Sequence, residues 1–475
     1  MGFRTQRDKR ERRERRGENG HYLTALDLGS RHLRLASGIV DAEGQVQLIG
    51  YAEYPSAGIN RGAITDIGLL SKALTALFNN YMTTFEHLRP QHLIVGVPGQ
   101  FVQMHTLQGN TTVSSGVVTE SDRDRAIENA RAGTNHDSEQ AIIHVLPQNF
   151  ITPTSPDVTN PIGQYARRLD VTAVVITCRL AHMMNLRQVV GNVSGDLDIS
   201  HFVYNGLAAA DAVLTPGDRD MGVMHLNFGA GGLDVSYYRS GHLVHTLGFA
   251  NGGELITEDV AMTFGLERNL AEYIKYWGLA DPQLFDQYPD EPRRLLLQNG
   301  PEGPQLLKLP NGQDVSSAAQ GQIIDRVALS TVIHDRLQEI IQAVIGRLQN
   351  RQQQTSGNQV FATSPNFMMG AGLVVSGGVA CTQGLETVIG KEFSSPFVPY
   401  DSHRSYRVSC GVPRGVTTEL FDNSALNRPQ LATLIGLLRR GQLELNEDRR
   451  QMQLNGAQKR PGFFAQLREW AKKEF

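Results

Sequence analysis

The sequence predicts a mixed α/β protein with two related lobes, on three observations. Three consecutive strand patterns begin at Tyr22 and another three near Gly222; the first strand of each set ends in a glycine turn; and an amphipathic helix pattern follows each set. With 475 residues, 40% hydrophobic and 20% charged, the chain can build about two to four packed domains. The same composition excludes a wholly disordered or collagen-like chain.

Taken in order, residues 1–20 are polar throughout and predict a disordered basic arm that can bury nothing. The first lobe opens over 21–92: YLTALDLGS, RLASGIV and VQLIGYAEY read as strands, and Ile67, Leu70, Leu74, Leu77, Phe78 and Tyr81 recur at helical spacing. Residues 93–175 read as an inserted subdomain, with strands HLIVGV, AIIHVLPQNFI and LDVTAVVITC around the polar helix pattern SDRDRAIENARA. The first lobe resumes over 176–212. A second lobe over 213–395 repeats the meander as GVMHLNFGAGG, LDVSYYRSG and HLVHTLGFA, with a helix at 253–264 and a small subdomain at about 255–330. Residues 279–325 show no period. The longest apolar stripe follows, from Val332 and Ile333 to Leu348, with Ser330 or Thr331 as its cap. Residues 396–441 return to the first lobe, 442–460 read as a polar linker, and 461–475 as a terminal amphipathic helix.

Charge is unevenly placed. The net −3 hides +5 over residues 1–16 and +3 over 459–475, which leaves −11 between them. The balance argues against a nucleic-acid coat, although an Arg-rich arm is physically suited to nucleic acid, to an anionic membrane or to neither. No run approaches the roughly 18 apolar residues that cross a bilayer, and no secretion signal is evident. Cys178, Cys381 and Cys410 form no CxxC pair, which fits a reducing, cytoplasmic compartment.

Three glycine turns follow strands: Asp27-Leu28-Gly29-Ser30, Asn227-Phe228-Gly229-Ala230-Gly231-Gly232 and Ser376-Gly377-Gly378. Without a Cβ, backbone N–H groups can approach phosphate oxygens, and a strand-end aspartate such as Asp27 can hold hydrated Mg²⁺. The order DLGS, NFGAGGLD, VSGG in two related lobes resembles the actin, Hsp70 and sugar-kinase superfamily. More closely, AGINRGAITDI, AIIHVLPQNF, FVYNGLAAADAVLT, GGELITEDVAMTFGL, AEYIK and the closing LREWAKKEF resemble the FtsA family of bacterial actin-like cell-division proteins.

That resemblance implies a two-lobed actin-like ATPase fold with duplicated lobes, a relocated FtsA-type subdomain and a C-terminal amphipathic helix. It implies ATP held by Asp27, Gly29 and Ser30 from one lobe and by Asn227, Gly229, Gly231 and Gly232 from the other. Glu272 and Lys275 would border the adenosine, and Gly377 and Gly378 would form the third turn. Asn227 stands where the family usually has aspartate and Gly232 where it has threonine. Asparagine supplies neither a charge for Mg²⁺ nor a strong base, so weakened Mg²⁺ binding and at most a weak ATPase are expected. The resemblance also implies an adaptor role: tethering filaments of the tubulin homologue FtsZ to the membrane, recruiting divisome proteins and self-assembling. Arg326 and Arg336 match basic residues that meet the FtsZ C-terminal peptide, and Thr331 replaces an acidic one. The alternatives are a PilM-like pilus-assembly homologue and an ATP-dependent phosphotransferase of the sugar-kinase branch.

On a helix of 3.6 residues per turn, Phe463, Phe464, Leu467, Trp470, Ala471 and Phe475 fall within an arc of roughly 140°, with Lys472 and Lys473 beside it. Aromatic residues on one face and cations on the other suit an anionic membrane interface. The expected location is the cytoplasmic face of the bacterial inner membrane at the division site.

Overall fold

The computed structural model describes residues 22–90, 92–134, 139–194, 197–287, 290–300, 303–309, 321–354, 369–397 and 406–454. The basic arm and the terminal segment with Phe463, Phe464, Leu467, Trp470, Lys472 and Lys473 lie outside the described residues.

Each lobe is organised around a strand buried on both faces. In Leu23–Leu28 and in Val223–Phe228 every residue is buried, which is why both read as near-continuous apolar runs. Leu23–Leu28 pairs antiparallel with His32–Val40 and parallel with Leu93–Val97. Val223–Phe228 repeats this, antiparallel to Leu233–Arg239 and parallel to Gly372–Ser376. The duplication read from the sequence is thus a duplication of strand pairing. The first-lobe sheet is completed by Ile199–Tyr204, Val46–Pro55 and Val416–Thr418, the second by His242–Phe249 and Val408–Cys410.

The insert has its own sheet, ordered Val102–Thr112, Arg168–Arg179, Gln140–Thr152 and Ser155–Val158. Its helix Glu120–Ala132 carries a capping box between Thr119 and Asp122 and packs over a separate small core that includes Ala126, Ala130, Phe150, Leu169 and Val171. Leu93–Val97, assigned to the insert from sequence, belongs instead to the first-lobe sheet. The apparently featureless 279–325 contains Arg294–Gly300, Gly303–Leu309 and Gln322–Asp325, a three-stranded sheet packed on the second-lobe core. The long helix, Arg326–Gln354, starts earlier than its apolar stripe. Asp325 caps it by accepting from Val327 N at 2.8 Å, while of the two expected caps Ser330 is buried and accepts from Leu279 N, and Thr331 donates back to Val327 O within the helix.

The helix Ala432–Leu454 closes the first lobe. It lies on the helix Asn205–Val213 at Gly436, where a Cβ would overlap the backbone of Ala208. Residues 442–454, expected to be a detaching linker, continue this helix and bind the body. Glu444 accepts from His144 at 2.9 Å, Asp448 meets His201 at 3.1 Å, and Arg450 reaches Asp124 on the insert at 2.9 and 3.0 Å. The polar residues here make tertiary pairs, so polarity did not mean separation.

Farther up this helix, Arg440 Nε donates to Asp211 at 2.8 Å, and Arg219 donates to the same carboxylate at 2.7 Å. Burial works against ionised Asp211, but the two guanidinium groups hold its carboxyl below the usual range. Removing one partner of such a buried network leaves charge uncompensated and costs about 3–5 kcal/mol. Arg440→Met should therefore lower the urea-unfolding free energy by about 3 kcal/mol; a loss under about 1 kcal/mol would show that Arg219 alone suffices.

Candidate functional site

The two duplicated hairpins face each other across a cleft with a cavity of ≈ 280 Å³, and all eleven residues expected at a nucleotide line it. In the first turn Gly29 N donates to His32 O at 3.1 Å, and Ser30 Oγ accepts from Gly62 N at 2.9 Å. In the second, Gly229 N donates to Gly232 O at 2.9 Å and Glu254 N to Ala230 O at 2.8 Å. A Cβ on Gly231 would overlap Ser30 Oγ, so the two turns meet only because that position is glycine. Gly377 has φ +89° and donates to Pro429 O at 2.9 Å, which joins the third turn to the segment before the closing helix.

Strand register exposes an asymmetry that motif reading missed. Asp27 lies opposite Arg34, and at the equivalent place Asn227 lies opposite Asp234. One lobe thus offers an acid beside a guanidinium, the other an amide beside an acid. Arg34 sits 3.6 Å from Asp27 and 3.2 Å from Glu53. Burial raises the Asp27 carboxyl above its ordinary value despite Arg34. Asn227 is fixed by its neighbours: Nδ2 donates to Thr433 Oγ1 and Oδ1 accepts from Ser376 Oγ, both at 3.2 Å. Behind it, burial pushes His225 down to about 3, so this imidazole is neutral as it faces Ser376 Oγ at 2.9 Å.

Asp234 accepts from Gly99 N at 2.9 Å, across the cleft and at the first residues of the insert. Burial pushes its carboxyl up to about 7, against the Gly99 N–H and the Asn227 amide. On the remaining wall Lys275 Nζ donates to Glu272 at 2.7 Å, Thr257 Oγ1 at 2.9 Å and Gly253 O at 3.2 Å. Burial lowers the Lys275 pKa against the pull of Glu272, and the three acceptors hold Nζ on this wall.

Among the described residues, several cavity-lining side chains keep a buried polar atom without a hydrogen-bond partner: Arg34 Nε, Asn205 Oδ1, Gln100 Oε1 and Gln430 Oε1. The glycine-turn backbone and the orphaned Arg34 Nε offer donors to phosphate oxygens, and the three orphaned amide oxygens offer acceptors to sugar hydroxyls or a base amino group, so the residues fit a nucleotide. Among the described residues, no cluster of three or more His, Cys, Asp or Glu is arranged to hold a metal ion by itself.

The two expected partner-binding arginines lie outside the cleft. Arg326 is 4% exposed and donates to Trp277 O and Glu291 Oε1 at 2.9 Å, with its guanidinium 5.2 Å from the Phe285 ring centre. It is a strut of the small sheet, which corrects the expectation that it is presented to an incoming carboxylate. Arg336 is more accessible and is paired with Asp259 and Glu339.

Residues 99–177 match the family described as the SHS2 domain inserted in FTSA. The chain is 28% identical over 459 residues to cell division protein FtsA of Neisseria meningitidis serogroup B, covering 96% of this chain and 99% of that one. It is 23% identical over 455 residues to cell division protein FtsA of Escherichia coli K12, covering 95% and 98%. A solved PilM–PilN type IV pilus biogenesis complex resembles it in fold, with a TM-score of 0.55, 14% identity and coverage of 88% and 98%. The chain is therefore similar to FtsA proteins over nearly its whole length, carries an insert that matches the FtsA-type SHS2 domain, and shares its two-lobed fold with the PilM structure.

An acid whose folded pKa is raised stabilises the fold less as pH climbs from its unfolded value, near 4, through its folded one. Asp234→Asn keeps the acceptor for Gly99 N but removes the titration. Urea melts from pH 5 to 8 should show the unchanged protein losing stability relative to the variant, by up to about 1.4 kcal/mol per pH unit below pH 7. Parallel curves would mean that Asp234 titrates normally.

Proposed function

We propose that this FtsA-like chain is an adaptor of bacterial cell division that links FtsZ filaments to the cytoplasmic membrane. The observation that carries this reading is the FtsA-type insert within an actin-like body whose likeness to cell-division relatives runs over nearly the whole chain. A PilM-like pilus role has support from fold alone. A phosphotransferase needs a base beside an acceptor, and the first-lobe carboxylates of the cleft, Asp27 and Glu53, are both held by Arg34.

In this reading the cleft binds ATP with a weakened Mg²⁺ requirement and slow or absent hydrolysis. Asn227 brings no charge and is immobilised between Thr433 and Ser376, and Asp27 already faces a guanidinium. Nucleotide then serves assembly rather than turnover. Self-association, recruitment of divisome proteins and attachment at the division site complete the role. The terminal segment 461–475 supplies the membrane contact, because its aromatic face and flanking lysines match an anionic interface.

Three measurements test this. An immobilised FtsZ C-terminal peptide should retain the protein, and Arg336→Glu should weaken capture roughly tenfold by presenting like charge to an acidic peptide; equal capture would remove Arg336 from the contact. Arg326→Glu is a poor substitute, since it would bury an unpaired acid. In sedimentation with anionic vesicles, deletion of 461–475 should abolish binding, and retained binding would move the anchor elsewhere. Asn227→Asp should strengthen the effect of Mg²⁺ on binding of a fluorescent ATP analogue; an unchanged metal effect would exclude this position as the cause.

A further inference from the structure

The cleft contains more guanidinium than its carboxylates engage, and, granted the nucleotide-binding reading on which this rests, the surplus bears on how a nucleotide is held. Lys275 is paired with Glu272, Arg34 with Asp27 and Glu53, and Arg61 with Glu258 at 2.9 Å. Arg31 and Arg428 also line the cavity and make no ion pair among the described residues. Arg31 follows Ser30 in the first phosphate turn, and its charge is felt by Glu272, Lys275 and Tyr276 of the opposite lobe. Arg428 lies just before Pro429, which accepts from Gly377 N, and its charge is felt by Cys381 beyond the third turn. Two uncommitted cations therefore line the cavity at two of the glycine turns, and the orphaned Arg34 Nε is a further donor on the same cavity.

The carboxylates that would hold a divalent ion are depleted in the same place. Asn227 is neutral, Asp27 and Glu53 are matched to Arg34, Glu272 is paired with Lys275, and Asp234 is tied to the Gly99 N–H. A planar guanidinium recognises phosphate oxygens through paired N–H donors and needs no metal to do so. We propose that the cleft takes a nucleoside diphosphate or triphosphate in its metal-free form, with Arg31 and Arg428 as the cations that balance its phosphate charge. Asn227 and these arginines are then parts of one arrangement: the first removes negative charge that would recruit a metal, and the others supply positive charge in its place.

The test is equilibrium titration of a fluorescent ADP analogue into the full chain, in EDTA and in Mg²⁺, for the unchanged protein, Arg31→Ala, Arg428→Ala and Arg31→Lys. The unchanged protein should bind about equally well in both conditions and more weakly as salt rises. Each alanine variant should lose about tenfold to a hundredfold in EDTA, the range of one charge-assisted hydrogen bond. Arg31→Lys should fall between, because it keeps the charge but not the fork. With no ion pair to lose at either arginine, thermal melts should be unshifted. The proposal is overturned if binding vanishes in EDTA and returns with Mg²⁺, or if the alanine variants bind as the unchanged protein does. Absence of saturable binding in both conditions would instead overturn the nucleotide reading on which it stands.

Discussion

The close approach of the closing helix to Asn205–Val213, permitted by Gly436, is the contact on which the remaining structure depends. From that seat one helix serves three bodies. Thr433 orients Asn227 in the second-lobe turn, Arg440 neutralises Asp211 beneath the first lobe, and Glu444 and Arg450 secure the insert. A larger side chain at Gly436 would lift the helix and disturb all of these together, because interiors close-packed around backbone contacts have no slack to absorb a methyl group.

The cleft depends on that scaffold in a specific way. Its chemistry lies less in the glycine turns than in how charge is distributed behind them. Arg34 sits between two acids, and Asp234, whose carboxyl burial pushes up to about 7, is tied to Gly99, where the insert begins. The ionisation of one carboxyl is therefore linked to the junction of both lobes and the insert. Such a group responds to any charge placed in the cavity, since a nearby anion raises a carboxyl's pKa and a cation lowers it.

Much of this was legible in the sequence. The two buried central strands announced themselves as apolar runs ending in glycine, and all eleven cleft residues chosen from motifs fall on one cavity. What escaped were features that depend on pairing across the chain. Asp234 was visible within NFGAGGLD but carried no signal until strand register set it opposite Asn227. Arg326 read as an exposed cation because burial by Trp277, Phe285 and Glu291 arises from segments far away in sequence. Residues 442–454 read as a linker because their polar side chains find partners only in His144, His201 and Asp124. The small sheet of 294–325 was hidden by short strands with little periodicity.

The register of the duplicated hairpins has a further consequence. A cleft between two copies of one motif has an approximate twofold axis, and a perfectly symmetric one would accept an elongated ligand in either of two directions. Here the acid–guanidinium pair Asp27 and Arg34 occupies one half, and the amide–acid pair Asn227 and Asp234 the other. Mismatched charge at equivalent positions gives the cavity a head and a tail. Once the ends are distinguishable, every bound molecule points the same way, and any assembly that reads the state of the cleft inherits a direction from it.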